Sequence, residues 1–317
     1  MSSPLLIDIK FENSRKFDRL RSTLGGREVI DINDGGGHPE TFSGVHYALV
    51  WKPDGKLFTR LPDLRVLFSL GAGVDHIFQS DYLPDVPIVR FVDHTLTTRM
   101  SEWVCLQCLM HLRQQRSYDR QQRERLWQEL PQPQASDITV GIMGLGELGR
   151  DAARKLKTLG FNVIGWSRSG RPVDGIEVFG AGRLDPFLSS THMLVGLLPL
   201  TSETRGIFNR DVFSKLRRHE EIASPVFINA GRGGSQVEAD IIACLEDGTL
   251  GGVSLDVFEQ EPLAEDSPLW GFEQAILTPH AAAVSDIEAL GHYVARQIAR
   301  FEAGEALENV VDRSLGY

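Results

Sequence analysis

From Pro4 to about Thr98, the short apolar runs LLIDIKF, VHYALVW, VLFSLG and PIVRFV alternate with turn-rich stretches. Runs of that length bounded by turn residues predict buried strands, so this part reads as one α/β unit. The pattern then changes to a long helical stretch from about Thr98 to Leu126, apolar in MSEWVCLQCLMHL and basic in RQQRSYDRQQRERLW. LPQPQ at Leu130 to Gln134 breaks it and serves as a linker. Beyond lies the strand DITVGIM, then Ala152, Ala153, Leu156 and Leu159 at helical spacing, with Gly160 ending that helix. FNVIGW, HMLVGLL, PVFINA, GGVSLDVF and AILTPH follow as strands, separated by helix-like segments such as TRGIFNRDVFSKLRR and EADIIACLEDG. Strand and helix in regular alternation imply a doubly wound parallel sheet. A last helix, about Ser285 to Ala303, is expected to pack back on the first unit, and no internal repeat is visible.

Composition narrows the function classes. The 317 residues are 42% hydrophobic and 24% charged, enough for two cores. The N-terminus reads as an opening strand rather than a signal peptide, and no run approaches the ~18 apolar residues of a membrane span. A cytoplasmic protein is expected. The net charge of −10 argues against nucleic acid or anionic membrane as a partner. Arg113, Arg116, Arg120, Arg123 and Arg125 are interleaved with Asp119 and Glu124, so that run reads as a solvated helix face or a subunit contact. Cys105, Cys108 and Cys244 are too few for a disulfide framework; Cys105 and Cys108, three apart, are expected to be buried reduced thiols on one helix face. The nine histidines show no metal-binding spacing, so no metal is expected.

Candidate chemistry begins at VGIMGLGELGR. Gly144, Gly146 and Gly149 follow a strand and open an amphipathic helix, the context in which G-x-G-x-x-G admits a dinucleotide pyrophosphate at a helix N-terminus. About twenty residues on, an NAD-preferring site has an acid that accepts from the ribose hydroxyls. FNVIGW runs instead into Ser167, Arg168 and Ser169, a guanidinium and two hydroxyls suited to a 2′-phosphate. NADPH is the expected cofactor, with NAD open to use if Arg168 is merely solvated.

Three residues behind that loop suggest hydride transfer to a small anionic keto acid: Arg232 in FINAGRGG, Glu261 in LDVFEQEPL and His280 in LTPHAAA. A guanidinium can clamp a carboxylate and polarise the neighbouring carbonyl, and an imidazole backed by a carboxylate can deliver a proton. Each alone reads as an ordinary loop or surface residue; the order behind a dinucleotide loop is the signal. An anion beside His280 favours imidazolium, so reduction is expected to run best on the acid side and oxidation of the hydroxy acid on the alkaline side.

SLGAGVDHI, GLGELGR, LLPLTSETRGIFN, NAGRGG, LDVFEQEPL and LTPH resemble the D-isomer-specific 2-hydroxyacid dehydrogenase family over nearly the whole chain. YALVWKP, FSLGAGVD, GWSRS, SPLW and the terminal VDRSLGY are most similar to its glyoxylate/hydroxypyruvate reductase A branch. The resemblance implies two Rossmann-like doubly wound domains: a dinucleotide-binding domain, 99–284, with a dimerisation arm around Trp127, inserted in a discontinuous substrate domain, 1–98 and 285–317. It implies that Arg232 holds the substrate carboxylate, His280 is the general acid and Glu261 its partner. Leu70, Gly71, Ala72, Gly73 and Val74 would add backbone N–H donors, with Trp51 closing the pocket. Cofactor contacts are implied for Gly144, Gly146, Glu147, Leu148, Gly149, Ser167, Arg168, Ser169, Leu198, Pro199, Thr204, Ala230, Gly231, Arg232, Asp256, His280 and Ala282, with Asp256 on the nicotinamide side. A homodimer reducing glyoxylate to glycolate and hydroxypyruvate to D-glycerate is expected. The alternatives are a reductase for pyruvate or phenylpyruvate, or a cofactor-sensing regulator of the same fold. After His280 the chain reads AAAV where many members have a glycine-containing run, which bears on the branch more than on the chemistry.

Overall fold

Among the described residues the named strands pair only in parallel, in two separate sheets. The computed structural model describes residues 3–10, 14–78, 80, 82–219 and 224–313. The last four residues of VDRSLGY therefore lie outside the described residues. Two compact units result, Met1–Leu96 with Ser285–Tyr317, and Thr97–Val284.

In the first unit, strands Leu5–Asp8 (β1), Val29–Asp31 (β2), Tyr47–Val50 (β3), Val66–Ser69 (β4) and Ile88–Arg90 (β5) form a sheet in the order β2-β1-β3-β4-β5. Helices Ser14–Ser22 (α1) and Asp75–Phe78 (α2) lie between them in sequence. Successive side chains alternate between two cores, as a period of two requires: Leu5 and Ile7 enter one, Leu6 the other. Strand β2 was not expected. Its three residues are only partly buried at the sheet edge, so the run carries too little apolar signal.

The second unit begins with Thr97, inside helix His94–Leu112 (α3), which is followed by Gln115–Glu124 (α4). The expected single helix is thus two. Gln114 adopts a left-handed conformation, φ 52°, and its side-chain amide donates to the Pro131 carbonyl, a non-local bond no periodicity reports. The α4 arginines converge on one residue: Arg116 Nε donates to the Glu273 carbonyl at 2.9 Å, and Arg120 and Arg123 approach its carboxylate at 3.4 and 3.6 Å.

Strands Thr139–Met143 (β6), Asn162–Trp166 (β7), Glu177–Phe179 (β8), Met193–Gly196 (β9), Val226–Asn229 (β10), Gly252–Leu255 (β11) and Ala275–Leu277 (β12) form the larger sheet, in the order β12-β11-β10-β9-β6-β7-β8. Met193 and Val195 face one core, Leu194 the other. Helices Glu147–Thr158 (α5), Leu184–Ser189 (α6), Arg210–Ser214 (α7) and Glu238–Glu246 (α8) belong to this unit. Gly160 ends α5 at φ 94° as expected. The short strand β8 was again missed, and TRGIFNRDVFSKLRR is helical only at α7, where the Asn209 side chain caps Val212 N–H at 3.2 Å. Cys108 and Cys244 are buried and free, but Cys105 is only partly buried, which corrects the expected pair of buried thiols. The final helix, Ile287–Glu302 (α9), returns to the first unit and buries Leu290, Tyr293, Val294 and Ile298 in the β1 core. Among the described residues no helix is long and apolar enough to cross a membrane.

Two histidines of the larger unit make an acid-stability prediction. Burial pushes His111 down to about 4, and burial, with Arg217 and His219 nearby, does the same to His192. His192 Nδ1 accepts from Thr139 N–H at 2.9 Å, a bond that protonation would abolish. Both folded values lie below the ordinary histidine value near 6.5, so the unfolded chain takes up the proton first. Their contribution is present above pH ~6.5 and lost towards pH ~4, up to about 3 kcal/mol for His111 and less for His192, whose charge is better screened by solvent. The urea midpoint should fall across that interval, and His192→Asn should flatten the fall. An equally steep fall in the variant would remove His192 from the account.

Candidate functional site

The candidate residues sit where strands end. In the larger sheet the chain leaves β6 towards β7 and β8, then returns to place β9 on the other side of β6. Connections diverging from adjacent strands open a crevice at their carboxyl ends, the usual ligand position in open parallel sheets. The glycine loop follows β6, Arg168 follows β7, Leu198 and Pro199 follow β9, Arg232 follows β10, Asp256 to Glu261 follow β11, and His280 follows β12.

The glycine loop fits a dinucleotide. A Cβ at Gly149 would lie 1.9 Å from the Gly144 carbonyl oxygen, so only glycine lets α5 start this close to the loop. At Gly146, the residue before α5, a Cβ would meet nothing within 4 Å, leaving room for pyrophosphate above the helix N-terminus. Glu147 and Leu148 supply the first turn of that helix, and Ala230 and Ala282 are buried. Thr204 Oγ1 donates to the Pro199 carbonyl at 2.6 Å and accepts from Thr201 N–H at 2.8 Å, tying the turn after β9. Ser167 N–H donates to the Phe179 carbonyl at 3.1 Å, and Ser169 is exposed. Arg168 Nη1 stands 3.0 Å from Glu203 Oε2.

The three catalytic candidates are joined by a chain of contacts. Arg232 has extended backbone, and its Nη1 donates to the Gly231 carbonyl at 2.8 Å. A Cβ on the next residue, Gly233, would lie 1.8 Å from the Phe258 carbonyl oxygen, so the arginine loop rests directly on the loop that carries Glu261. Phe258 N–H reaches Glu261 Oε1 at 3.4 Å, and both Glu261 oxygens lie 3.0 Å from His280 Nδ1. An ionised carboxylate only accepts, so Nδ1 carries hydrogen and Nε2 is the ring atom left for a transferable proton. The pair is partly open to solvent, with side-chain exposures of 38% for His280 and 25% for Glu261.

His280 is held in a conformation that favours glycine, φ 53°. Its N–H donates to the carbonyls of Asp256 at 2.8 Å and Thr278 at 3.0 Å. Buried Asp256, for which the resemblance implies a cofactor contact, uses both oxygens within the protein. One accepts from Thr278 Oγ1 at 2.5 Å and Ala281 N–H at 2.8 Å, the other from Ala282 N–H at 3.0 Å. Left-handed non-glycine residues persist only where surroundings enforce them, and they cluster at functional sites.

Within the first unit, Trp51 follows β3 and packs on His76, ring centroids 4.5 Å apart. It also lies against Gly71, where a Cβ would be 3.0 Å from the indole. Leu70 N–H donates to the Val50 carbonyl at 3.1 Å, which corrects its expected role as an anion donor. The Gly71 carbonyl accepts from Phe91 N–H, and Ser69 Oγ donates to the Gly73 carbonyl at 3.2 Å, so the loop up to Val74 is shaped from within.

Sequence reasoning missed a buried polar bridge between the loops that carry Arg232 and Glu261. Asn229 Oδ1 accepts from Gly231 N–H at 3.0 Å and its amide donates to Gln236 Oε1 at 2.8 Å, while Gln236 Nε2 donates to the Val257 carbonyl at 3.0 Å. Gln236 is 1% exposed, and a buried amide with both ends bonded fixes its neighbours. Its position inside GGSQVEAD carries no sign of that burial. Glu203 was missed for a different reason, since its contact to Arg168 spans 35 residues.

Comparison with known proteins places the chain in a family. Residues 105–282 match the family model of the D-isomer specific 2-hydroxyacid dehydrogenase NAD binding domain. The chain is 37% identical to glyoxylate/hydroxypyruvate reductase A of Yersinia enterocolitica over 97% of each sequence. It is 57% identical to an NADPH-dependent glyoxylate/hydroxypyruvate reductase from Sinorhizobium meliloti solved with NADP and sulfate, at a TM-score of 0.96 over 100% of both chains. A D-isomer specific 2-hydroxyacid dehydrogenase from Xanthobacter autotrophicus solved with NADPH and MES is 37% identical, with a TM-score of 0.92 over 100% of both chains.

Proposed function

Because the chain belongs to the D-isomer specific 2-hydroxyacid dehydrogenase family, we propose that it reduces glyoxylate to glycolate and hydroxypyruvate to D-glycerate with NADPH. The reductase names of its relatives and their NADP and NADPH complexes support the reading. The observation that carries it is the His280–Glu261 contact, 3.0 Å from Nδ1 to both oxygens, on a loop docked against that of Arg232.

Bound NADPH supplies the hydride. Arg232 holds the substrate carboxylate and draws electron density from the keto oxygen. The keto carbon, on accepting hydride, leaves an alkoxide, and His280 Nε2 donates the proton that neutralises it. Glu261 keeps Nδ1 hydrogen-bonded through this transfer and stabilises the charged ring before it. Within the first unit, the backbone N–H groups of Ala72, Gly73 and Val74 are proposed to donate to an anion, with Trp51 beside them. Oxidation of NADPH on adding glyoxylate or hydroxypyruvate, faster than with pyruvate or phenylpyruvate, is the test. A protein that binds NADPH yet oxidises none of it with any of these acids would be a regulator, and the proposal would fail.

A homodimer is part of the same proposal. Trp127 is fully exposed at 102%, beside Leu126 at 49%, an arrangement that an aqueous surface disfavours and a subunit contact explains. Light scattering at micromolar concentration should return twice the chain mass, and Trp127→Ala should lower that value; a monomeric parent protein would refute the assignment.

A further inference from the structure

We propose that Glu203 sets how strongly the enzyme discriminates between NADPH and NADH, by acting as an internal counter-ion that the 2′-phosphate must displace from Arg168. The inference rests on the reading of Arg168 as the phosphate partner. Arg168 lies two residues beyond the end of β7, where a dinucleotide fold reads the ribose, and its Nη1 is 3.0 Å from Glu203 Oε2.

Glu203 is carried on a fixed turn. Thr201 N–H donates to Thr204 Oγ1 at 2.8 Å, Thr204 Oγ1 to the Pro199 carbonyl at 2.6 Å, and Arg205 N–H to the Thr201 carbonyl at 3.0 Å. The carboxylate is therefore held near Arg168 by the backbone after β9, on the flank of the crevice beside the glycine loop. The pair is open to water, with side-chain exposures of 46% and 64%, so it adds little to folding stability. Its consequence is electrostatic and falls on the ligand.

A guanidinium that already faces a carboxylate gains less from a phosphate. Two anionic groups sharing one guanidinium sit about 6 Å apart, and at low ionic strength a doubly charged phosphate at that distance is disfavoured by roughly one tenfold step in binding at the permittivity of water. NADH brings a neutral hydroxyl to the same place, from which a carboxylate accepts a hydrogen bond. Arg168 thus creates the preference for NADPH, and Glu203 limits it.

Dissociation constants of NADPH and NADH for the intact enzyme, with 2′,5′-ADP and 5′-AMP as fragments lacking nicotinamide, test this. Glu203→Gln should bind NADPH and 2′,5′-ADP about tenfold more tightly and leave NADH and 5′-AMP within about twofold, the gain shrinking at high salt. Equal shifts for both members of each pair, no shift, or weaker NADPH binding would overturn the role of Glu203. Arg168→Ala separates the two ideas: an unchanged NADPH to NADH ratio there would overturn the reading of Arg168 itself, whereas a collapsed ratio beside an inert Glu203→Gln would overturn only the counter-ion.

Discussion

Replacing His280 by alanine is expected to lower kcat for glyoxylate by about 10²- to 10⁴-fold while the dissociation constant for NADPH changes little. The reason is positional. The ring is oriented by Glu261 at 3.0 Å and by a backbone held left-handed through Asp256 and Thr278, a placement that alanine removes together with the donor. In the proposed site pyrophosphate lies elsewhere, at the glycine loop, so cofactor affinity should survive. Glu261→Gln retains a side chain of the same length but loses the charge beside the ring, and its loss should be smaller than that of His280→Ala. Stopped-flow single turnovers with NADPH prebound isolate the chemical step. A fully active His280→Ala protein would reject the mechanism, and a Glu261→Gln protein indistinguishable from the parent would reject the pairing.

Arg232→Lys should lower kcat/KM for glyoxylate by about 10²- to 10³-fold, although the charge is kept. A planar fork can bond a carboxylate twice and still lie against the keto oxygen, whereas an ammonium offers one compact charge with no fixed direction. Loss of a positioned donor at a developing oxyanion has effects of that order. Both parameters should move: KM rises because the carboxylate is held less well, and kcat falls because the alkoxide is less stabilised. A change in KM alone would confine Arg232 to binding, and no change in either would remove it from the site.

Much of the fold was legible because parallel strands buried on both faces are nearly continuous apolar runs, as in VGIM, MLVG and VFIN. The edge strands β2 and β8 were not, since three residues with one poorly covered side leave no such run. The break at Gln114 was hidden because residues on both sides suit a helix, and the bond that turns the chain comes from Pro131. The site divided along the same line. Arg232, Glu261 and His280 were identifiable as chemical types in a recognisable order, while the Asn229–Gln236–Val257 bridge and the Arg168–Glu203 pair depend on partners from other loops.

The amino-acid sequence by itself determined which groups are available: a glycine loop without side chains, a guanidinium where an NAD site has an acid, and an imidazole, a carboxylate and an arginine in strand-end loops. Those are properties of single residues and their immediate neighbours, and local patterning carries them. Only the tertiary structure decided how the groups are aimed, that Nδ1 rather than Nε2 of His280 faces Glu261, that Asp256 holds the histidine loop, and that Leu70 has already used its N–H. Direction and occupancy belong to pairs of groups far apart in the chain, and hydrogen-bond geometry settles them only once parallel strands have brought their ends to a common edge.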